Sequence, residues 1–193
     1  MRYKEYNVNR VLEKSIQLFW KNGFRGCSVK DIVEVTGVNR FSLYHEFADK
    51  SGILYGSLQL YRERYCEDKF NILKEEGHPE DILKKFYLSF LREENIQPGC
   101  FFIHIGTEMA DTDEKIKSLI KSYLKEIQGL LFDLLTRNER TNEHANFCAR
   151  HLVGLFCTTM SFCLIHSEKE RAKHISNGIK VILNKNTSYA TST

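Results

Sequence analysis

The amino-acid sequence predicts an all-α fold of about nine helices. Prolines interrupt helices, yet the 193 residues include only two of them, Pro79 and Pro98. Apolar residues recur at helical spacing along most of the chain, and residue types typical of helix ends separate these runs. Hydrophobic residues make up 42% and charged residues 27%, which is the composition of a globular chain rather than a disordered one.

The first 50 residues predict three short helices. The first runs over residues 7–22, where apolar side chains follow a helical period. Ser28 and Asp31 have the spacing of a capping box, which predicts the start of a second helix. Gly37 can take the left-handed conformation after that helix, and Asn39 is a good N-cap for the third.

Two short helices joined by a glycine-containing turn form a helix-turn-helix motif. In that motif the second helix enters the major groove of DNA, and its early residues face the base edges. The charge distribution agrees, because residues 1–50 hold nine Lys/Arg against six Asp/Glu whereas the rest of the chain holds 19 of each. The whole formal excess of +3 therefore lies in this segment, which favours double-stranded DNA as its partner.

The third helix carries the candidate base and phosphate contacts. Arg40 can pair bidentately with guanine, Phe41 can pack on a thymine methyl group, and Ser42 can hydrogen-bond a base or a phosphate. Tyr44 and His45 suit phosphate oxygens at the edge of the groove. The alternative is a short surface helix with an incidental aromatic residue.

The stretch SVKDIVEVTGVNRFSLYHEFADKSGIL, residues 28–54, resembles the DNA-binding region of TetR-family transcriptional regulators. The resemblance covers about residues 8–60 and includes the Gly-Val turn and the Leu-Tyr-x-x-Phe helix. Val33 stands where these regulators usually have alanine, and Phe41 where glycine, alanine or proline is common. The resemblance implies base contacts from Asn39 to His45, and phosphate contacts at Ser28, Lys30, Tyr44 and Lys50.

After residue 50 the pattern predicts six more helices, over residues 51–76, 79–94, 100–109, 113–137, 142–165 and 167–184. In TetR-like proteins this half binds a small molecule and dimerises through the last two long helices. The resemblance therefore implies a DNA-binding helix-turn-helix domain at 1–50, a helical ligand-binding and dimerisation domain at 51–186, and a polar tail at 187–193.

The segment FCARHLVGLFCTTMSFCLI, residues 147–165, carries apolar groups on more than one face of its helix. That is more than a helix packed on one side needs. Small residues at Gly154, Cys157 and Thr158 permit a second helix to approach closely, which favours a homodimer built on a four-helix interface. A central core helix is the alternative. The candidate interface residues are Leu152, Leu155, Thr159, Phe162, Ile175, Ile179 and Ile182.

Aromatic residues at helical spacing in this half are candidates for lining an effector cavity. The same pattern is also that of an ordinary core, so the two interpretations stay open. His104 is the one ionisable group in the apolar segment FFIHIG. The candidate effector-binding residues are Tyr61, Tyr65, Phe86, Phe90, Phe102, His104, Phe132 and Phe156.

The six cysteines are scattered and form no C-x-x-C pair. This pattern indicates neither a disulfide framework nor a zinc site, so we expect no metal and no cofactor. Cys100 follows Pro98-Gly99 at a predicted helix start, where free N–H groups favour a thiolate. The segment PGCFFIHIGTEMAD is similar to one in a subgroup of TetR regulators, some of which sense electrophiles or oxidants through cysteine. Cys100 is therefore a candidate redox residue, with an inert thiol as the alternative.

Other function classes lack support in the sequence. The chain shows no H-E-x-x-H, P-loop, nucleophile elbow or paired carboxylates in an apolar setting, so it is not expected to be an enzyme. No apolar run approaches the roughly 18–20 residues that span a bilayer, and the amino terminus does not read as a signal peptide. We expect a cytoplasmic repressor that binds a palindromic operator and is released by a small hydrophobic or aromatic effector. A small all-helical enzyme or carrier with an incidental helix-turn-helix is the alternative.

Overall fold

The structure, a computed structural model, describes residues 6–91, 99–138 and 140–184. The described residues form ten α-helices and no strand. The helices are α1 (Val8–Asn22), α2 (Val29–Thr36), α3 (Arg40–Phe47), α4 (Lys50–Tyr61), α5 (Glu67–Ile72), α6 (Pro79–Ser89), α7 (Phe101–Met109), α8 (Glu114–Arg137), α9 (Asn142–Ser161) and α10 (Glu168–Leu183). The π-helical segment Arg62–Cys66 joins α4 to α5, so these ten helices make nine continuous rods within the described residues, as predicted.

Local signals at the helix ends are confirmed. The side chain of Ser28 accepts from the N–H of Asp31, whose own side chain accepts from the N–H of Ser28, and this capping box opens α2. Ser167 and Glu170 form the same reciprocal pair at the start of α10. Gly37 ends α2 with a φ of 74°, in the left-handed conformation that glycine adopts without steric cost.

The first three helices and α4 share one small core. Helix α1 packs along α4 and against α2, and α3 packs against α4. Each helix contributes fully buried side chains at the spacing of one helical face, among them Phe19, Ile32, Leu43 and Ile53. The outer surface of α3 is thereby left free of contacts with the other described helices.

The second half is built around α7, α8 and α9. Helix α8 packs along α9, and α10 packs against α9 and α6. Helix α7 contacts α8 and α9 and also reaches α1 and α4, with Phe101, Phe102 and Ile105 fully buried. This short helix therefore touches both halves of the molecule.

Three predicted helices differ from the observed ones. The single helix predicted over 51–76 contains the π-helical segment Arg62–Cys66 and ends at Ile72. Lys69 Nζ, in the turn after this segment, donates to the carbonyl of Tyr65 at 2.6 Å. The helix predicted over 142–165 ends at Ser161, so that residues 162–166 form the turn before α10. The helix predicted over 79–94 ends at Ser89, and residues 90–91 form a turn. Residues 92–94, Pro98 and the tail 187–193 lie outside the described residues.

The cysteines of the described residues are all reduced, and only Cys157 is not fully buried. The described part of the chain contains no group of three or more His, Cys, Asp or Glu side chains placed to hold a metal ion. None of its helices combines the length and the apolar character needed to cross a membrane.

Candidate DNA-binding surface and effector site

Helix α3 is held by an N-cap, by a buried leucine and by a hydrogen bond from a residue outside the helix. The Asn39 side chain accepts from the N–H of Ser42 at 2.9 Å, which confirms the predicted N-cap. Leu43 anchors the helix in the core with no exposed surface. The hydroxyl of Tyr6 donates to the carbonyl of Ser42 at 3.0 Å, a contact over 36 residues that the sequence did not indicate.

The outward face of α3 carries the residues predicted to contact base edges. Asn39, Arg40, Phe41 and His45 are exposed, whereas Ser42 and Tyr44 are half-buried. Phe41 leaves 69% of its surface in water, which costs free energy unless another surface covers it. Such an exposed aromatic ring at the start of a helix is what an apolar contact with a thymine methyl group needs.

Arg40 and Tyr44, which the sequence suggested as separate contacts, are joined in the structure. Nη2 of Arg40 donates to the Tyr44 hydroxyl at 2.9 Å, and the guanidinium lies 5.0 Å from the centre of the Tyr44 ring. The pair is one turn apart on the helix, so the arginine side chain is held along the surface of α3. Its remaining N–H groups stay available for an acceptor outside the chain.

Ser28 and Lys30 lie at the start of α2. The Ser28 hydroxyl donates to Asp31 Oδ2 at 2.8 Å, so it is used by the capping box. The hydrogen bonds from Ser28, first from its N–H and then from its hydroxyl, lower the pKa of Asp31. Both Ser28 and Lys30 are exposed, and their phosphate contacts remain predictions.

Lys50, predicted to contact phosphate, has internal partners instead. Its Nζ donates to the carbonyls of Phe24 at 2.9 Å and Cys27 at 2.8 Å, and it lies 4.1 Å from the centre of the Phe24 ring. Two of its three N–H groups are therefore committed to the turn between α1 and α2. In the structure Lys50 positions the segment that leads into α2.

Most of the predicted effector residues fill the core. Phe86, Phe90 and Phe156 have ring centroids 5.0–5.7 Å apart, and all three are buried. Phe102 stacks on Tyr123 with centroids 3.9 Å apart and planes within 4°. Rings in direct contact enclose no space, so a ligand can reach these side chains only if they separate.

Three of the four remaining predicted residues, Tyr61, Tyr65 and Phe132, pack around this core. Tyr61 is buried and stacks on Tyr65 at 5.5 Å. Tyr65 and Phe132 are half-buried. None of the three lines the cavity beside Trp20.

A small cavity of about 80 Å³ does lie between the two halves. It is lined by Trp20 of α1, by Cys100 just before α7 and His104 within it, and by Met160 and Cys163 near the end of α9. The apolar residues around His104 in the sequence suggested a position in the core. In the structure His104 is exposed at the rim of the cavity. The partial burial of its ring lowers the pKa of His104, against the opposing effect of Glu108.

Trp20 was missed by the sequence reasoning. Its ring stacks on Phe101 at 5.5 Å and meets Tyr61 edge-on at 5.4 Å. One residue of α1 is therefore inserted between α4 and α7. No local pattern distinguishes it from any other apolar residue of α1, because its partners lie more than 40 residues away in sequence.

Cys100 is buried, and its Sγ lies 3.2 Å from the hydroxyl of Tyr123. Burial raises the pKa of the Cys100 thiol to about 11, although hydrogen bonds from Tyr123 and the N–H groups of Phe102 and Ile103 oppose the shift. This is the reverse of the shift expected at a helix start. Desolvation outweighs the helix N-terminus here, so the thiol is neutral near pH 7.

The predicted dimer residues need correction. Leu152, Leu155, Thr159, Ile175 and Ile179 are buried within their own chain, so they have almost no surface to offer a second copy. The periodicity identified the apolar face of these helices. It could not show whether that face is covered by the same chain or by a second copy.

The outward side of the last two helices is different. Gly154 and Thr158 are exposed on α9, and a Cβ at Gly154 would meet nothing within 4 Å. Phe162 is 49% exposed and Val181 69% exposed, and Ile182 is half-buried. A surface available to a second copy therefore runs through these five residues, which we call the α9–α10 face.

Comparison with known proteins adds the decisive observation. Residues 11–55, the helix-turn-helix with the start of α4, match the family model described as bacterial regulatory proteins, tetR family. The HTH-type transcriptional repressor ComR of Escherichia coli is 28% identical over 125 residues. Residues 11–55 therefore form a DNA-binding domain of the TetR family.

The other matches agree with this assignment to the TetR family. The ComR match covers 63% of this chain and 60% of ComR, so the chain spans less than two thirds of that relative. The icaADBC negative transcriptional regulator IcaR of Staphylococcus epidermidis is 23% identical over 136 residues, with 67% of each chain covered. Both are transcriptional regulators by name, in agreement with the expectation of a regulator rather than an enzyme.

The fold of the chain is shared over nearly its whole length with solved structures. A cysteine mutant of the TetR family transcriptional regulator CifR, complexed with a 26-bp double-strand operator, superimposes with a TM-score of 0.81. The superposition covers 93% of this chain and 98% of CifR at 14% identity. At that identity the likeness establishes the fold.

Proposed function

We propose that this TetR-family DNA-binding transcriptional regulator is a cytoplasmic repressor that binds a palindromic operator as a homodimer. The exposed outer face of α3 carries the proposal. An arginine held along the helix and an uncovered phenylalanine stand beside each other there. ComR and IcaR are named as a repressor and a negative regulator, which favours repression over activation.

In this proposal the bases are read from α3. Arg40 donates to guanine, Phe41 covers a thymine methyl group, and Asn39, Ser42 and His45 lie beside them at the groove. Tyr44 accepts a hydrogen bond from Arg40 and itself lies at the edge of the groove, next to the phosphates. Ser28 and Lys30 give the start of α2 a contact with the phosphates, while the contribution of Lys50 is to hold the turn that positions it.

The homodimer is proposed to form through the α9–α10 face. A helix-turn-helix monomer reads one half-site, whereas a dimer presents two recognition helices about 34–36 Å apart. The exposed apolar side chains Phe162 and Val181 beside the small residues Gly154 and Thr158 fit a close helix pairing. Two-fold symmetry of this pairing requires a palindromic operator.

Release from the operator is proposed to follow binding of a small hydrophobic or aromatic effector in the half that spans residues 51–186. The stacked rings around Tyr61, Phe102 and Tyr123 offer aromatic surface but no open space, so an effector must separate them. The cavity of about 80 Å³ beside Trp20 is lined by Trp20, which meets Tyr61, and by Cys100, which contacts Tyr123. Cys100 lines that cavity, and a redox role for it would require its thiol to lose its present burial.

The experiment is an operator titration. Palindromes from the DNA flanking the gene are labelled and titrated with the protein by fluorescence anisotropy at a fixed, stated salt concentration. We expect nanomolar binding that excess unlabelled operator removes and excess random DNA does not. Equal competition by both DNAs would rule out the proposed specific readout.

The effector is tested separately. Hydrophobic and aromatic compounds are screened by thermal shift, and each compound that raises the melting temperature is added to the operator complex. We expect some of them to release the DNA, and we expect Tyr65→Ala to weaken that release without lowering operator affinity. Compounds that bind while operator affinity stays unchanged would refute the release mechanism.

A further inference from the structure

The two halves of the chain are joined by a polar contact as well as by the helix that leads out of the DNA-binding domain. The carboxylate of Glu108, in the last turn of α7, accepts the N–H of Phe24 at 2.7 Å and the N–H of Arg25 at 2.6 Å. The guanidinium of Arg25 donates to the carbonyl of Glu108 at 3.4 Å. These partners are 83–84 residues apart in sequence.

The two N–H groups need an acceptor from outside their own helix. Helix α1 ends at Gly23, whose φ of 73° turns the chain away from the helical path. The N–H groups of Phe24 and Arg25 therefore lie beyond the hydrogen bonds of α1, and the carboxylate of Glu108 supplies acceptors for both. Such bonds to a charged acceptor are shorter and stronger than those between neutral groups.

The same turn is held from its other side by Lys50. Glu108 takes the N–H groups of Phe24 and Arg25, and Lys50 donates to the carbonyls of Phe24 and Cys27. The next residue is Ser28, the N-cap of α2. In addition to the core contacts of α2 and α3, the turn that leads into α2 is thus held by one residue of the DNA-binding side and one residue of α7.

Helix α7 is itself anchored in the aromatic core of the second half. Phe102 stacks on Tyr123 of α8, while Phe101 reaches across the boundary between the halves to stack on Trp20 of α1. His104, one turn before Glu108, lies at the rim of the cavity between the halves. A displacement of α7 would therefore carry the Glu108 carboxylate with it.

We infer that Glu108 is a positioning residue for operator binding: its carboxylate fixes the turn 24–25, and through it the pose of the recognition helix relative to the second half. This inference rests on the proposed function, because a fixed pose matters only if α3 reads DNA. A dimer needs both recognition helices at one spacing. When only a fraction of the molecules has that spacing, the apparent affinity falls by the same fraction.

The test compares three variants of the full chain. Glu108→Gln keeps the size of the side chain but leaves one acceptor oxygen instead of two. Glu108→Asp keeps the charge and withdraws the carboxylate by one methylene group. Glu114→Gln is the matched control, since it removes the same charge from an exposed position on α8 whose carboxylate pairs with Lys117.

Two quantities are measured for each variant: operator affinity at fixed salt, and hydrogen–deuterium exchange of peptides covering residues 20–27. Couplings between sites typically correspond to roughly 5- to 150-fold in affinity, and we expect a loss of about tenfold for both Glu108 variants. Exchange of the peptides covering 20–27 should quicken in both, while exchange of α8 and α9 stays as in the wild type. Glu114→Gln should match the wild type in both measurements.

The outcomes separate the possible failures. If exchange quickens and operator affinity stays within twofold of the wild type, Glu108 is only a structural contact and the inference is wrong. Unchanged exchange would overturn it as well, because the turn would then not depend on the carboxylate. If Glu108→Gln melts far below the wild type, Glu108→Asp decides. Absence of specific binding by the wild type would refute the proposed function itself.

Discussion

For Lys50, a structural role within the DNA-binding domain and a direct contact with DNA predict different experimental results. In the structure its Nζ donates to two backbone carbonyls at 2.9 and 2.8 Å and lies over the ring of Phe24. We therefore predict that Lys50→Met destabilises the protein. Lys30 is exposed in the first turn of α2. Lys30→Met is therefore the contrasting variant, in which a lysine is removed that the structure does not use to hold the turn.

The expected magnitude follows from the contacts. A hydrogen bond from a charged donor contributes about 1.5–3 kcal/mol, and a cation over an aromatic ring at a partly exposed site about 0.5–1 kcal/mol. Water can replace part of both in the half-exposed turn, and methionine keeps the methylene packing of the lysine stem. We expect Lys50→Met to lower the free energy of unfolding by about 2–4 kcal/mol, below the sum of the separate contacts.

Urea unfolding and the salt dependence of operator affinity are then measured on both variants. Each phosphate contact contributes about 0.9 to the slope of log affinity against log salt concentration, so a dimer that loses two contacts should lose about two units of slope. We expect that loss for Lys30→Met, at unchanged stability. For Lys50→Met we expect the loss of stability with little change of slope. A Lys50→Met protein with wild-type stability and a slope lowered by about two would refute this reasoning.

Three further predictions concern the recognition helix, the dimer and the buried thiol. Arg40→Ala should weaken specific binding by about 1–3 kcal/mol per half-site while the melting temperature stays unchanged, because Arg40 is exposed; equal affinity for wild type and variant would remove it from the readout. Thr158→Arg on the α9–α10 face should reduce the mass measured by light scattering from twice 22.6 kDa to 22.6 kDa. Ser118→Arg, at an exposed position of α8, should leave the mass unchanged. A wild-type monomer would contradict the proposed dimer. The pKa of Cys100 is raised from 9.0 to about 11, so the unfolded chain releases this proton at a lower pH than the folded chain. Stability should therefore fall as the pH rises from 9 through 11, and Cys100→Ala should make that fall shallower in pH-dependent unfolding experiments.

The helix ends could be predicted from the sequence because their chemistry is local. A capping hydroxyl at Ser28 or Ser167 finds its partner three residues later, and Gly37 needs only its own backbone freedom to end α2. The helix-turn-helix is made almost entirely of such local signals. Its predicted helices therefore agree with the structure to within a few residues.

The faces of the long helices could not be assigned in the same way. Leu152 and Ile179 have the spacing of an interface and equally that of a core, and the structure buries both within the chain. Likewise, Phe102 would be apolar and aromatic whether it lined a cavity or stacked on Tyr123. Periodicity shows that a face is covered, but the covering element lies many residues away and leaves no mark in the local pattern.

The contacts that the sequence missed share one property: they join residues that are distant in the chain, as Lys50 and Phe24 are. Trp20 on Phe101 and Glu108 on the N–H of Phe24 lie at the boundary between the halves. A regulator must connect an element that reads DNA to one that senses a ligand, and that connection cannot be local, because each element packs mainly on itself. The residues that carry signalling between the halves are therefore those for which a single sequence is least informative. In this chain such contacts gather around α7 and the turn between α1 and α2, where the proposed function predicts that a substitution changes operator affinity without touching either DNA or effector.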